Sequence, residues 1–297
     1  MTSANLAHIK AGDIDVVGYS VAGEETVVAV PVLDVCFDVG RAPQQIIPIN
    51  HVLLTHGHMD HSAGIAYYLS QRNFCGLKPG TVLAPANLID VIGELLKNWE
   101  KLDGQRVPAN LVPMSPGDEY EVKPSIFARA FATRHTQGSL GYSIIEKRRK
   151  LLPELLDVPG HKLVQLKLKG EPIDHIVEIP MVTYFGDTSY MDFWKNETIA
   201  QSKVLIIECT FFIDEHTQRA EAGRHMHVTE FAGLLEKMHN QHVIITHLTQ
   251  RTGPGEAKSL LRKNLPAELY EKVVLLMDRK NLKDRDDTLP PPRNAES

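Results

Sequence analysis

Four side chains able to bind a metal ion fall within six positions in His56-Gly57-His58-Met59-Asp60-His61. Where a chain is extended or looped, residues two apart can point to the same side, so His56 and His58 can share one ion. Asp60 and His61 can turn toward a second ion nearby. Imidazole and carboxylate are suitable zinc ligands, and two metals about 3.5–4 Å apart make a clamp for in-line displacement at phosphorus. Gly57 lets the segment bend where a side chain would crowd the ions. One segment cannot complete two metal shells. His135, Asp187 and His247 stand where β-rich runs end and offer what is missing. A carboxylate at 187 can bridge both ions. Taken singly these three are weak signals, because a His near a strand end is more often an ordinary surface or core residue.

Such a set needs strands that stop at the site. Residues 27–38 are rich in β-branched side chains and read as strands. Residues 51–55 form a short apolar run that ends abruptly at the His-rich segment, the pattern of a buried strand feeding a loop. Runs at 182–185, 204–207 and 243–246 lead to Asp187, Glu208 and His247, and 111–146 reads as several more strands. Helices are expected at 65–72, 229–239 and 255–263, and at 87–101, where Asn87 can cap and Leu88, Val91, Ile92, Leu95 and Leu96 form one face. Trp99 and Trp194 read as packing residues. No internal repeat of fixed period is visible. Strand runs mixed with helices imply sheets with helices packed outside.

The order His56-x-His58-x-Asp60-His61, His135, Asp187, His247 resembles the metallo-β-lactamase superfamily, as does Phe37-Asp38-Val39-Gly40 ahead of it. The resemblance narrows to ribonuclease Z, the endonuclease that trims the 3′ end of precursor transfer RNA, and to its short form. Ile207-Glu208-Cys209-Thr210-Phe211 looks like that family's His-Glu-Ala-Thr-Phe segment. The stretch from Gly223 through Arg224, His225, Met226, His227, Val228 and Thr229 to Glu230 looks like its His-Ser-Thr segment, with His227 in the matching place. His247-Leu248-Thr249-Gln250-Arg251 looks like its final His-x-x-x-Arg stretch, and the match runs from about 18 to 276. The resemblance implies an α/β fold, a single αββα sandwich of two mixed sheets with helices outside and metals at one edge. It implies two Zn²⁺ per subunit, with Mn²⁺ as the other candidate. His56, His58 and His135 would hold one ion, Asp60, His61 and His247 the other, with Asp187 bridging and Asp38 supporting the loop from behind. A water between the ions would become hydroxide near neutral pH and attack phosphorus. Asp60 would orient it or accept its proton. His227, held by Glu208, would protonate the leaving ribose oxygen; the preference for His227 over its neighbour His225 rests on the resemblance alone. A homodimer is also implied.

Residues 147–179 break the rhythm. They open on Lys147, Arg148, Arg149 and Lys150 and read as an arm that could contact the phosphates of folded RNA, or as a solvated excursion. The segment lacks the Gly-Pro-rich tip of the long arms in this family. The domain is expected over 1–278, with a charged, proline-rich and disordered tail over 279–297. A formal net charge of −5 supplies no global field for nucleic acid, so a local basic feature must attract RNA. No apolar run reaches the roughly 20 residues of a membrane span, and the first fifteen residues do not read as a signal peptide. Three scattered cysteines argue against a disulfide framework and point to the cytoplasm. The leading expectation is cleavage of precursor transfer RNA. The alternatives are hydrolysis of a small substrate, a cyclic nucleotide phosphodiester or a lactone, and metal binding without turnover.

Overall fold

The computed structural model describes residues 6–282. Seven short strands, alternating in β1 and β2 and buried on both faces in β3, β4 and β6, build the first sheet: β1 (Ala7–Ala11), β2 (Ile14–Val21), β3 (Glu25–Val30), β4 (Val35–Phe37), β5 (His51–Leu53), β6 (Gly80–Pro85) and β7 (Ala109–Met114), in that spatial order. β1 to β4 run antiparallel to their neighbours, and β4 to β7 run parallel. The helices α1 (Met59–Ser62), α2 (Ile65–Phe74) and α3 (Ile89–Asp103) belong to this half.

The second half repeats the plan. Its strands are β8 (Glu119–Lys123), β9 (Ile126–Ala132), β10 (Leu140–Leu151), β11 (Asp174–Tyr184), β12 (Val204–Glu208), β13 (His242–Thr246) and β14 (Val273–Leu275), again in chain order across the sheet. β8 to β11 pair antiparallel, and β11 to β14 pair parallel. Five further helices complete this half beside α4 (Gly160–Leu168): α5 (Glu197–Ala200), α6 (Thr217–Gly223), α7 (Val228–Leu235), α8 (Pro254–Asn264) and α9 (Ala267–Tyr270). The two halves share one topology although no sequence repeat betrays it.

Strand periodicity explains the layering, because successive side chains face opposite ways. From β12, Val204 and Ile206 join Val28, Phe37 and Leu53 in the core between the sheets. Leu205 and Ile207 face outward, under Phe231, Leu234 and Leu261 of α7 and α8. On the opposite side Val27, Val52 and Val82 pack beneath Ile65 and Leu69 of α2 and Ile92 and Leu96 of α3. The result is the four-layer αββα sandwich.

Three expectations need correction. Asn87 does not cap α3; it donates to the Gln137 carbonyl, and the helix starts at Ile89. Ile92 and Leu96 are buried as expected, but Val91 and Leu95 face solvent, and so does Trp99, which is 46% exposed rather than packed. Residues 279–282 belong to the fold and not to the tail: Arg279–Asn281 make a turn and Leu282 bridges to Ala7. The remaining tail residues, 283–297, lie outside the described residues. No helix among the described residues is long and apolar enough to cross a membrane.

Residues 147–179 form the distal part of the β10–β11 hairpin. β9 accompanies β10 only as far as Glu146, and β12 pairs only with Val182 to Tyr184, so the hairpin continues alone, with α4 at its tip. Lys147 is not free for a ligand. It bonds Glu119 at 2.5 Å, lies 3.5 Å from Glu178 and sits over the Phe127 ring, fastening the hairpin to the sheet. Arg148 pairs with Glu146, and Arg149 with Asp174, at exposed positions.

Candidate metal centre

The site lies at one end of the sandwich, where both halves contribute loops. Asp38 directly follows β4, and 54–58 follow β5. Asp38 is fully buried and its carboxylate is saturated. Oδ1 accepts from the Thr55 amide at 2.8 Å and the Thr55 hydroxyl at 2.9 Å; Oδ2 accepts from His61 Nδ1 at 2.8 Å and the Tyr184 hydroxyl at 2.9 Å. With its hydroxyl hydrogen given to Asp38, Thr55 receives Nδ1–H of His56 at 2.9 Å. Both rings therefore leave Nε2 bare for a ligand. Gly186, at φ +62°, is required here, because a Cβ would come within 2.7 Å of the Thr55 side chain.

The second half builds the same device. Glu208 ends β12, fully buried, and receives the Thr210 hydroxyl, which sits 3.0 Å from His247 Nδ1. A carboxylate–hydroxyl–imidazole relay again leaves Nε2 bare, now on His247. His247 adopts a left-handed φ of +60° and is anchored by its amide to Ser20. Such a conformation costs about 1–3 kcal/mol in a non-glycine residue and is found where a site demands it. Sequence reasoning passed over both threonines; the signal was a hydroxyl one residue before His56 and another two residues after Glu208.

The bare nitrogens converge on one oxygen. Asp187 Oδ2 lies 3.2 Å from His247 Nε2, 3.4 Å from His61 Nε2, 3.7 Å from His135 Nε2 and 3.8 Å from His56 Nε2. His58 Nδ1 stands 3.1 Å from His135 Nε2. The donor atoms form three overlapping groups that could hold a metal: His56, His58, His135 and Asp187; Asp60, His61 and His247; and Asp187, His225 and His247. The structure thus brings together all seven residues proposed as ligands.

Electrostatics favour a cation at this point. Nε2 of His56, His61 and His247 is buried with no hydrogen-bond partner, an arrangement that costs about 1–3 kcal/mol per atom unless a ligand satisfies it. Burial and neighbouring imidazoles hold His56 well below the usual histidine range, and burial lowers His135, so both favour the neutral form that binds metal. Burial opposes ionisation of Asp187, but His247 and His61 outweigh it and keep the carboxyl well below its usual range. Burial likewise opposes a charge on His61, yet Asp187 and Asp38 pull it well above its ordinary value. Positive charge is wanted between these groups, and the donor set fits a divalent metal. Asp60 is also held charged: burial resists, but His247 and His61 prevail. One of its oxygens accepts the Gly23 amide at 3.0 Å.

His227 does not reach this centre. It caps α7: Nδ1 accepts from the Thr229 hydroxyl at 2.9 Å and amide at 3.4 Å, and Nε2 meets the Ile213 carbonyl at 3.3 Å. With both ring nitrogens occupied it has no proton to offer a substrate. The residue beside the metal ligands is His225. Its Nδ1 bonds Glu208 at 2.9 Å, and its ring stacks on His247 at 5.1 Å between centroids. Burial disfavours its charge, but Glu208 overrides this and pushes His225 up to about 9. Glu208 also accepts the Thr188 and Met226 amides. The pairing expected between His227 and Glu208 is therefore made by His225, two residues earlier, and the resemblance was read out of register.

Asp38 provides a direct test of the relay. Asp38→Ala leaves Thr55, His61 and Tyr184 without their common acceptor, and metal affinity should fall roughly 10- to 100-fold, the usual effect of losing a group that orients ligands. Competition with a chromophoric chelator measures this. An unchanged affinity would show that the rings are held by other contacts.

Residues 31–152 match the family described as "Beta-lactamase superfamily domain". Over 263 residues the chain is 32% identical to tRNase Z TRZ1 of Arabidopsis thaliana, covering 87% of this chain and 93% of that protein. It is 31% identical over 265 residues to the chloroplastic tRNase Z TRZ2 of the same plant, covering 88% of this chain and 74% of that one. In structure it is similar to human tRNase Z, short form, with a TM-score of 0.58 at 16% identity, over 88% of this chain and 95% of that one.

Proposed function

This chain belongs to the tRNase Z family, and from that premise we propose that it cuts the 3′ trailer from precursor transfer RNA, with two zinc ions held by His56, His58, His135, Asp60, His61, His247 and the shared Asp187. The observation that carries the reading is the His225–Glu208 pair set against that ligand cluster. A phosphodiester with a ribose leaving group needs both negative-charge stabilisation and a proton donor. Zinc ions bound there would supply positive charge toward the phosphoryl oxygens and lower the pKa of water from about 15.7 to about 7. Mn²⁺ would suit the same imidazole and carboxylate ligands.

The chain's own groups do the rest. Asp60, already ionised and tied to Gly23, orients the attacking water more readily than it takes up a proton. Glu208 holds Nδ1–H of His225, a lining residue of the cleft, which leaves the Nε2 proton to go to the departing 3′ oxygen. The water oxygen bonds to phosphorus as the bond from phosphorus to the 3′ oxygen breaks. The products carry a 3′-hydroxyl and a 5′-phosphate, and the proton lost by water goes to solvent.

The distal hairpin supplies the local basic feature, with seven Lys and Arg against five Asp and Glu over 147–179 in a chain of net charge −5. Exposed ion pairs are worth about 0–1 kcal/mol, so Arg148 and Arg149 can exchange carboxylate for RNA phosphate, beside Lys150. A zinc-loaded preparation should cut a precursor transfer RNA once, at the acceptor end. Removing the charges of Arg148, Arg149 and Lys150 together should raise KM about 10-fold and flatten its salt dependence. Hydrolysis of a small phosphodiester without any cut in the precursor would move the function to small substrates.

We propose a homodimer that pairs through the outer face of α3. Val91, Leu95, Trp99 and Leu102 are 61%, 42%, 46% and 74% exposed and form one stripe, flanked on one side by Glu94 and Lys101. An antiparallel two-fold near Lys97 sets Leu95 against Trp99 and Glu94 against Lys101, the self-complementarity an isologous interface requires. Trp99→Glu should convert the dimer to the 33.2 kDa monomer in light scattering. A wild-type protein that is itself monomeric at micromolar concentration would end the proposal. The free cysteines, two of them buried, agree with the reducing cytoplasm as the place of work.

A further inference from the structure

His225 stands on the wall between two clefts, and the two differ in charge. The first, about 610 Å³, holds the metal-ligand face together with Phe211, Arg219 and Arg251. The second, about 530 Å³, is also lined by His225 and contains none of the seven proposed ligands. It is lined by Arg134, Tyr190, Glu221, Arg224 and Glu230. Both volumes fall in the range of about 300–1,000 Å³ typical of ligand pockets.

We infer that the second cleft binds the nucleoside on the 5′ side of the cut, whose 3′ oxygen departs, while the first binds the trailer with its new 5′-phosphate. The inference rests on the transfer RNA reading above and adds a direction to it. In-line displacement puts the leaving oxygen on the far side of phosphorus from the attacking water. Water is positioned by the metal-ligand face, so the leaving ribose lies toward His225 and past it, where the second cleft begins.

Charge assigns the two halves the same way. Apart from Asp60 and Asp187, which belong to the metal centre, the first cleft has no lining carboxylate, and its Arg219 and Arg251 suit a phosphate-rich strand. The second offers two arginines against two glutamates, and Glu230 already accepts the His227 amide. That balance suits one sugar, one base and a single phosphate. Arg134 is exposed and its guanidinium makes no hydrogen bond or ion pair among the described residues, whereas Arg224 is anchored on the His135 carbonyl at 2.9 Å. Tyr190 is half-buried against the outer core and is the cleft's phenol ring, a platform for a base.

Direct binding of the two product halves to the metal-loaded full chain tests the assignment. The probes are a transfer RNA ending in a 3′-hydroxyl at the cut and a 5′-phosphorylated trailer oligoribonucleotide, followed by fluorescence anisotropy. Tyr190→Ala and Arg134→Ala should each weaken the transfer RNA half about 5- to 10-fold and the trailer less than about 2-fold, and Tyr190→Phe should restore binding. Arg251→Ala should do the reverse. Tyr190 and Arg134 variants that weaken the trailer instead, or change neither half, overturn the assignment while the activity stands. A wild-type chain that cuts no precursor overturns the functional reading and this inference with it.

Discussion

Replacing Asp187 by Asn should strip the site of metal and lower turnover on precursor transfer RNA by roughly 10³-fold or more. Asn keeps the size of the side chain and removes its charge. Four imidazole nitrogens, from His56, His61, His135 and His247, stand within 3.2–3.8 Å of Asp187 Oδ2, so one oxygen serves both ligand sets. Loss of that charge weakens both at once, and each 1.36 kcal/mol of lost transition-state stabilisation is a factor of ten in rate. Metal content by mass spectrometry and turnover on one preparation make the measurement. Two equivalents of metal retained with wild-type turnover would show that Asp187 does not bridge.

His225→Ala and His227→Ala should separate chemistry from structure. His225→Ala removes the proton donor and should lower kcat about 10²- to 10⁴-fold with metal content and KM little changed. Glu208 keeps its three other donors, Thr188, Thr210 and Met226, so the fold should tolerate the change. His227→Ala removes the cap of α7 and one of two donors to the Ile213 carbonyl, which keeps the His216 amide at 2.8 Å. It should cost about 1–2 kcal/mol of stability and appear as a lower melting temperature, with kcat reduced less than about 10-fold. The opposite pattern, a silent His225 and an essential His227, would return the acid to the residue that the resemblance first suggested.

The same pair shows where sequence reading stops. His225 and His227 are two residues apart, so both point to one side if the segment is extended, and nothing in their spacing chooses between them. The choice is made by α7, which begins at Val228 and takes the His227 ring as its cap, and by Glu208, 17 residues earlier, which can reach only His225. Lys147 is a similar case. Its charge advertised an RNA contact, but strand pairing sets it against Glu178 and beside Glu119. On α3 the apolar spacing announced a helix, but how much of its apolar face is covered was set by the sheet beneath it, which buries Ile92 and Leu96 and leaves Val91, Leu95 and Trp99 exposed.

What the amino-acid sequence determined by itself was the inventory of candidate ligands and the class of fold. His56, His58, Asp60 and His61 are neighbours in one six-residue segment, so covalent geometry alone makes them a cluster, and short β-rich runs that stop at Asp187, Glu208 and His247 announce strand ends at one rim. Tertiary structure alone decided how those ligands are aimed. Asp38 reaches Tyr184 across 146 positions, and His135 meets the Arg224 carbonyl across 89. The relays through Thr55 and Thr210 lie in matching loops of two halves whose shared topology has no sequence repeat. The physical reason is range: spacing along a chain governs which way neighbouring side chains point, whereas the orientation of a buried imidazole is set by hydrogen-bond partners that only packing of the two sheets can bring to it.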